Sequence, residues 1–278
     1  MSELLTPTGP AAAAHPGSAP TARHSGPFWA VSDSLTMVAR SLRLSIRNPD
    51  ALVTAIALPV MLMLLFVYLF GGAIQTGTAY VNYVVPGVIL LCTSFGASMT
   101  AMSVCQDMVD GIIDRFRSMD IASFAVLTGH VAATVVRNVV STSLVIVVAL
   151  LIGFRPNATV GEWVAVIGLL ALFVLAMAWL SATVGLIAKT PEAASGFTFF
   201  VMFLPYVSSA FVPVETMPSW LHGFAENQPV TPIIETLRGL LLGTPIGNNG
   251  WLALGWCLGI LAVFFLAATA LFRRQTTR

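Results

Sequence analysis

The stretch from Gln106 to Gly129 reads QDMVDGIIDRFRSMDIASFAVLTG and is the most patterned polar segment of the chain. Asp107, Asp110 and Asp114 recur at three and four residues, while Met108, Ile112, Phe116 and Met119 recur at four, four and three on another face. That spacing predicts an amphipathic helix. Its apolar stripe would lie against a membrane or a helix bundle, leaving Asp110, Asp114, Arg115 and Arg117 presented to water as a docking surface. The chemistry on offer is charge pairing with a partner.

Bond-making constellations are weaker. Ser98, in Gly96-Ala97-Ser98, and His130 are the raw materials of an intramembrane serine hydrolase, but Met99 follows the serine where such sites carry glycine, and His130 belongs near the opposite end of the neighbouring helix. His222 and Glu226 stand at i and i+4, only two ligands of a metal site that needs three or four. A phosphate-cradling loop requires Gly-Lys-Ser/Thr, and the single lysine, Lys189, follows Ala188, with Thr183 where the first glycine must be. The chain is therefore expected to have no catalytic residues, no metal and no ATP-hydrolysing site of its own. Cys92, Cys105 and Cys257 form no C-x-x-C pair and read as packing residues.

The elements that must carry these residues are announced by missing charge. No Asp, Glu, Lys or Arg occurs from residue 51 to 106 or from 239 to 272, and charged residues make up only 9% of the chain against 57% hydrophobic. Such runs fit membrane spans of about 20 apolar residues each. Turn residues and charges divide the apolar stretches of the chain into six: 51–71, 84–105, 129–153, 163–187, 194–213 and 250–272. The expected fold is all-α, a polytopic membrane protein of six transmembrane helices. None of the six holds a central Asp or Glu, which removes the usual machinery of proton- or ion-coupled transport.

Basic side chains are retained on the cytoplasmic side. With the N-terminus inside, the inner segments hold Arg23, Arg40, Arg43, Arg47, Arg115, Arg117, Lys189, Arg273, Arg274 and Arg278, and the outer ones only Arg155 and Arg238. Both termini are thus expected in the cytoplasm. Arg137 falls in the cytoplasmic half of the third span, where it either snorkels or faces the bundle interior.

Residues 1–27, with five prolines among Ala, Ser, Thr and Gly, read as a disordered cytoplasmic tail, and 28–278 as the membrane domain. Between them and the first span, Leu35, Val38, Leu42 and Ile46 repeat at helical spacing beside Arg40, Arg43 and Arg47, predicting an interfacial helix over 34–47 with its arginines at lipid headgroups. On the outer side, Pro213, Pro218, Pro229, Pro232 and Pro245 cut the segment 213–250 into pieces, two of which, 218–226 and 232–243, have helical apolar spacing. Short re-entrant helices that gate an exit path would fit.

Three segments together resemble the membrane subunits of type-2 ABC transporters, in the branch of the daunorubicin/doxorubicin resistance exporter permeases. They are Asp110-Gly111-Ile112-Ile113-Asp114-Arg115-Phe116-Arg117-Ser118-Met119, then Met217-Pro218-x-Trp220, then Asn227-Gln228-Pro229-Val230-Thr231 running on to Arg238-Gly239-Leu240. The likeness covers about 34 to 275 and departs from the family pattern at Asp120 and Pro232.

The resemblance implies a permease of the plasma membrane that exports amphiphilic, drug-like or lipid-like cargo. It implies two copies of a separate ATP-binding cassette subunit that binds ATP and Mg, a second permease subunit in a homodimer, and no cofactor on this chain and no nucleic acid partner. Asp110, Gly111, Asp114, Arg115, Phe116 and Arg117 would form the coupling helix that docks on the ATPase, and Arg40, Arg43 and Arg47 its supporting helix. Pro218, Trp220, Asn227, Pro229 and Arg238 would belong to the outer gate. Met61, Met63, Phe66, Phe95, Met99, Phe199, Phe200, Met202 and Phe203 offer an adaptable surface to aromatic cargo. Export of a lipid-linked glycan uses the same fold, and an intramembrane hydrolase is the reading from a different class.

Overall fold

The computed structural model describes residues 49–74, 77–111 and 123–276, and among them every regular element is helical. In chain order these are α1 (Pro49–Leu65, continued by a π-helical turn Phe66–Phe70), α2 (Tyr80–Val109), α3 (Ser123–Ile152), α4 (Val160–Ile187) and α5 (Pro191–Phe203). There follow α6 (Ser219–Asn227), α7 (Val230–Leu242) and α8 (Asn249–Thr276). Short 3-10 turns at Leu204–Val207 and Val214–Thr216 link α5 to α6.

The longest helices are apolar almost throughout, so lipid-type burial rather than an amphipathic stripe determines their placement. Tyr80–Val109, Leu127–Ile152, Val160–Ile187 and Asn249–Phe272 are each long and apolar enough to cross a membrane. α2 is the hub, packing on α1, α3, α4, α5 and α7, with Val84, Val85, Leu90 and Leu91 fully enclosed. α3 and α8 lie at the periphery and turn Val139, Val147, Leu151, Val263 and Leu266 outward. Such a contiguous apolar exterior demands a bilayer or a protein partner over it.

Local sequence sets the ends. Thr159 and Glu162 form a reciprocal capping box at the start of α4, the Thr159 amide donating to Glu162 Oε2 at 2.6 Å. Thr190 caps α5, accepting from the Ala193 amide at 3.2 Å, with Pro191 in the first turn where its missing N–H is harmless. Gly243, at φ 73°, closes α7 in the left-handed conformation.

Three expectations are corrected. The helix over 194–213 is broken: α5 has 13 residues, about 20 Å of rise against the ~30 Å of a hydrocarbon core. Pro205 lacks the amide needed to continue it, and the chain leaves helical geometry at Ser208. Second, the second span does not stop at 105 but runs to Val109, so Asp107 belongs to α2 and is buried. The expected loop helix therefore does not begin at Asp107. Third, α3 begins at Ser123, six residues before the expected 129. Among the described residues four helices are long and apolar enough to span where six were expected; α1 is a shorter apolar helix and α5 is interrupted. The segments 218–226 and 232–243 do form helices, as α6 and α7.

Candidate functional site

Among the described residues, those expected at functional sites lie at the two ends of the bundle. At one end, α7 and the start of α2 enclose the irregular segment that follows α5. Buried irregular backbone needs outside partners for its carbonyls, and side chains of α2, of α7 and of the α6–α7 link supply them on alternate residues. Gln228 Nε2 donates to the Val207 carbonyl at 2.6 Å, Arg238 Nη2 to the Ser209 carbonyl at 2.8 Å, and the Tyr80 hydroxyl to the Phe211 carbonyl at 2.8 Å. Ser208 satisfies its own turn, its Oγ donating to the Pro205 carbonyl and accepting from the Ala210 amide.

Arg238 is the centre of this arrangement. Its side chain is only 8% exposed, and Nη2 also donates to the Tyr83 carbonyl at 3.1 Å while Nη1 donates to Glu235 Oε1 at 2.6 Å. The guanidinium carbon lies 3.7 Å from the Tyr83 ring centroid, a cation–π contact in a place sheltered from water. A planar fork with five donors serves three acceptors at once, which a lysine could not. Close approach of backbones completes the seal. A Cβ on Gly87 of α2 would sit 2.5 Å from Ala210 Cβ, so only glycine fits there.

The other residues expected at an outer gate lie on the same pair of short helices. Pro218 is the N-cap of α6, Trp220 on its first turn is 80% exposed, and Asn227 ends the helix with its Nδ2 donating to the Gly223 carbonyl at 2.8 Å. Pro229 is the N-cap of α7, and Thr231 Oγ1 ties α7 back to the Ala225 carbonyl of α6. His222 Nε2 donates to the Met217 carbonyl at 2.8 Å, which commits that nitrogen to capping the preceding turn. The Arg155 amide donates to Asn82 Oδ1 and the Asn157 amide to the Leu241 carbonyl, so the α3–α4 connection joins the same end.

The opposite end holds the end of α2 and the start of α3. Asp110 and Gly111 terminate α2: the Asp110 amide donates to the Gln106 carbonyl at 2.9 Å, its Oδ1 accepts from Gln106 Nε2, and Gly111 takes φ 65°. Asp110 is exposed. Asp114, Arg115, Phe116 and Arg117 lie outside the described residues, as do Arg40, Arg43 and Arg47.

A polar seam between α2 and α3 was legible only in part. Arg137 does not snorkel; its Nη2 donates to Thr100 Oγ1 at 3.0 Å across the helix interface. Thr100 and Thr134 hydroxyls are in hydrogen-bond contact, and Thr134 Oγ1 donates to the His130 carbonyl. His130 Nε2 stands 3.0 Å from Asp107 Oδ2. The carboxylate accepts, so Nε2 carries the proton. Ser98 is not the partner of His130: nine residues along α2 from Asp107, it lies about 13 Å up the helix axis.

Of the apolar residues considered for cargo, Met63 is fully buried and Phe66 stacks on Phe211 at 4.3 Å between ring centroids. Met61, Phe199, Phe200 and Phe203 face outward, at 55–70% exposure.

Comparison with known proteins reaches the same segments. The family model described as "ABC-2 type transporter" matches residues 33–242. The chain is 31% identical over 251 residues to a daunorubicin resistance ABC transporter permease of Streptomyces coeruleorubidus, covering 88% of each. It is 24% identical over 260 residues to a doxorubicin resistance ABC transporter permease of Mycobacterium tuberculosis, covering 83% of this chain and 85% of that one.

Proposed function

The chain belongs to the ABC-2 type transporter family, and from that premise we propose that it is the membrane-spanning permease subunit of an ATP-driven exporter. The cargo in this reading is an amphiphilic, drug-like molecule moved outward across the plasma membrane. The observation that carries it is likeness over nearly the whole length of both chains to a permease of daunorubicin resistance. The apolar belt on α3 and α8 fits a membrane subunit, and Trp220 and Trp251, both largely exposed, suit the membrane–water interface near α6 and the start of α8.

In this account two copies of a separate ATP-binding subunit, which bind ATP and Mg, dock on the segment 110–119. Asp110, Gly111, Asp114, Arg115, Phe116 and Arg117 form the contact, and the segment with Arg40, Arg43 and Arg47 braces it along the inner leaflet. Residues 1–27 form a cytoplasmic tail ahead of the membrane domain, both termini are cytoplasmic, and α1 and α5 with the non-α segment that follows it complete six crossings. A second copy of the chain covers the exposed faces of α1 and α5. Met61, Phe199, Phe200 and Phe203 then line the path between the two copies, where polarisable and aromatic side chains accept varied aromatic cargo.

The cap built from α6, α7 and the 207–211 segment forms the outer gate. Pro218, Trp220, Asn227 and Pro229 set its two short helices, and Arg238 locks it to α2 through the Tyr83 carbonyl.

The test is purification of the tagged chain from its native membranes in mild detergent, with mass spectrometry of co-purifying proteins. A stoichiometric ATP-binding subunit is expected. A solitary chain, reproduced across several detergents, would refute the proposal.

A further inference from the structure

The Asp107–His130 pair has no part in the roles assigned above. Asp107 lies in the last turn of α2, three residues before Asp110, and His130 in the third turn of α3. Between the described ends of α2 and α3 this contact joins side chains that are 13% and 11% exposed. Behind it the seam is antiparallel and in register. Thr100 meets Thr134 and Arg137, and Gly96 lies against Asn138, whose Nδ2 donates to the Thr134 carbonyl. A Cβ on Gly96 would fall 2.6 Å from Asn138 Nδ2, so the two helices touch closely there.

We infer that Asp107 and His130 are positioning residues: they clasp α2 to α3 at the mouth of the hairpin, so that the hairpin moves as one lever. The inference rests on the proposed coupling role of the 110–119 segment. A push applied beyond Gly111 reaches both helices through their ends. If the ends are free, the push splays them and is absorbed locally. If a carboxylate and a ring N–H hold them, with bulk water largely excluded, the push travels along the seam toward Thr100 and Arg137. Charge-assisted hydrogen bonds in such surroundings are the stronger kind; Arg137 on Thr100 is another further along the seam, whereas the Thr100–Thr134 contact is neutral.

The positioning role predicts a change in the ratio of transport to hydrolysis. A merely structural role would lower both in step with the amount of assembled complex. The complex with its ATP-binding subunit is reconstituted in inverted vesicles, and daunorubicin uptake and phosphate release are measured together for wild type, His130→Leu, Asp107→Asn and His130→Gln. His130→Leu should hydrolyse ATP at the wild-type rate while uptake per ATP falls about tenfold, equivalent to ~1.4 kcal/mol of lost coupling, and Asp107→Asn, which keeps an acceptor but loses its charge, should fall between it and wild type. His130→Gln keeps an N–H donor and should restore most of the ratio.

An unchanged ratio, or uptake and hydrolysis falling together with recovered complex, would overturn the inference. Spin labels at Val109→Cys and Ser123→Cys test the clasp without any cargo, including in a chain that transports nothing. A narrow distance distribution in wild type should broaden in His130→Leu; equal widths would overturn the clasp. Wild-type vesicles that take up no daunorubicin with the ATPase present would refute the exporter reading and leave the label result to decide the clasp.

Discussion

Arg238 Nη2 donates to the Ser209 carbonyl at 2.8 Å, joining α7 to the point where the helix after Thr190 gives way to irregular chain. Backbone without helical bonds is tolerated at membrane depth only when protein encloses it and supplies the missing partners. Gln228, Arg238 and Tyr80 supply them at residues 207, 209 and 211. The broken segment and the two short helices therefore depend on one another.

Arg238→Ala should remove the donor of the Ser209 and Tyr83 carbonyls and strand them in a buried place. Each stranded group costs on the order of 1–3 kcal/mol, so a loss of about 3 kcal/mol in all is expected. Thermal unfolding in detergent measures it. Arg238→Lys keeps the charge without the fork and should fall between the two, because one ammonium cannot reach both carbonyls and Glu235 together.

Gly87→Val should be among the most damaging single changes in α2, since even the first carbon of a side chain would collide with Ala210. Overpacking of this kind costs about 1–3 kcal/mol. Gly168→Ala on α4 is the matched control: nothing lies within 4 Å of its added carbon, and it should leave stability unchanged or raise it by about 1 kcal/mol or less. Melting temperatures of the two variants, compared with wild type, should move in opposite directions or differ by several degrees.

Thr159→Ala removes the acceptor for the Glu162 amide at the start of α4. A lost cap of this type costs about 1 kcal/mol. Hydrogen exchange should show faster opening confined to the first turn of α4, with Leu169 and beyond unaffected.

Most of the helices were legible in the sequence because uncharged apolar runs of this length have few other folds. The misread boundaries have different causes. Asp107 looks like loop polarity when read alone, yet His130 satisfies it, so α2 runs further than charge counting allows. Arg137 likewise finds Thr100, a partner that only the pairing of two helices reveals. In the run 194–213 the interrupting Pro205, Ser208 and Ser209 were visible, but their meaning depended on Arg238 and Gln228, some 20 to 30 residues further on. α6 and α7 were found from their proline boundaries, and the burial of Arg238 was not.

Labelling from outside tests the orientation. A cysteine at Trp220, 80% exposed on α6, should react with a membrane-impermeant maleimide in intact cells. A cysteine at Val109, 58% exposed at the end of α2, should react only after the membrane is opened. The reverse pattern would invert the proposed topology.

The most direct test of the central claim is ATP-dependent uptake of daunorubicin into inverted membrane vesicles that contain this chain and its ATP-binding subunit. Uptake that requires ATP, and that is abolished by Arg115→Glu with Arg117→Glu while the chain still inserts, is the predicted result. Vesicles in which the charge-reversed chain takes up daunorubicin as well as the wild type, or in which ATP makes no difference, would contradict the account.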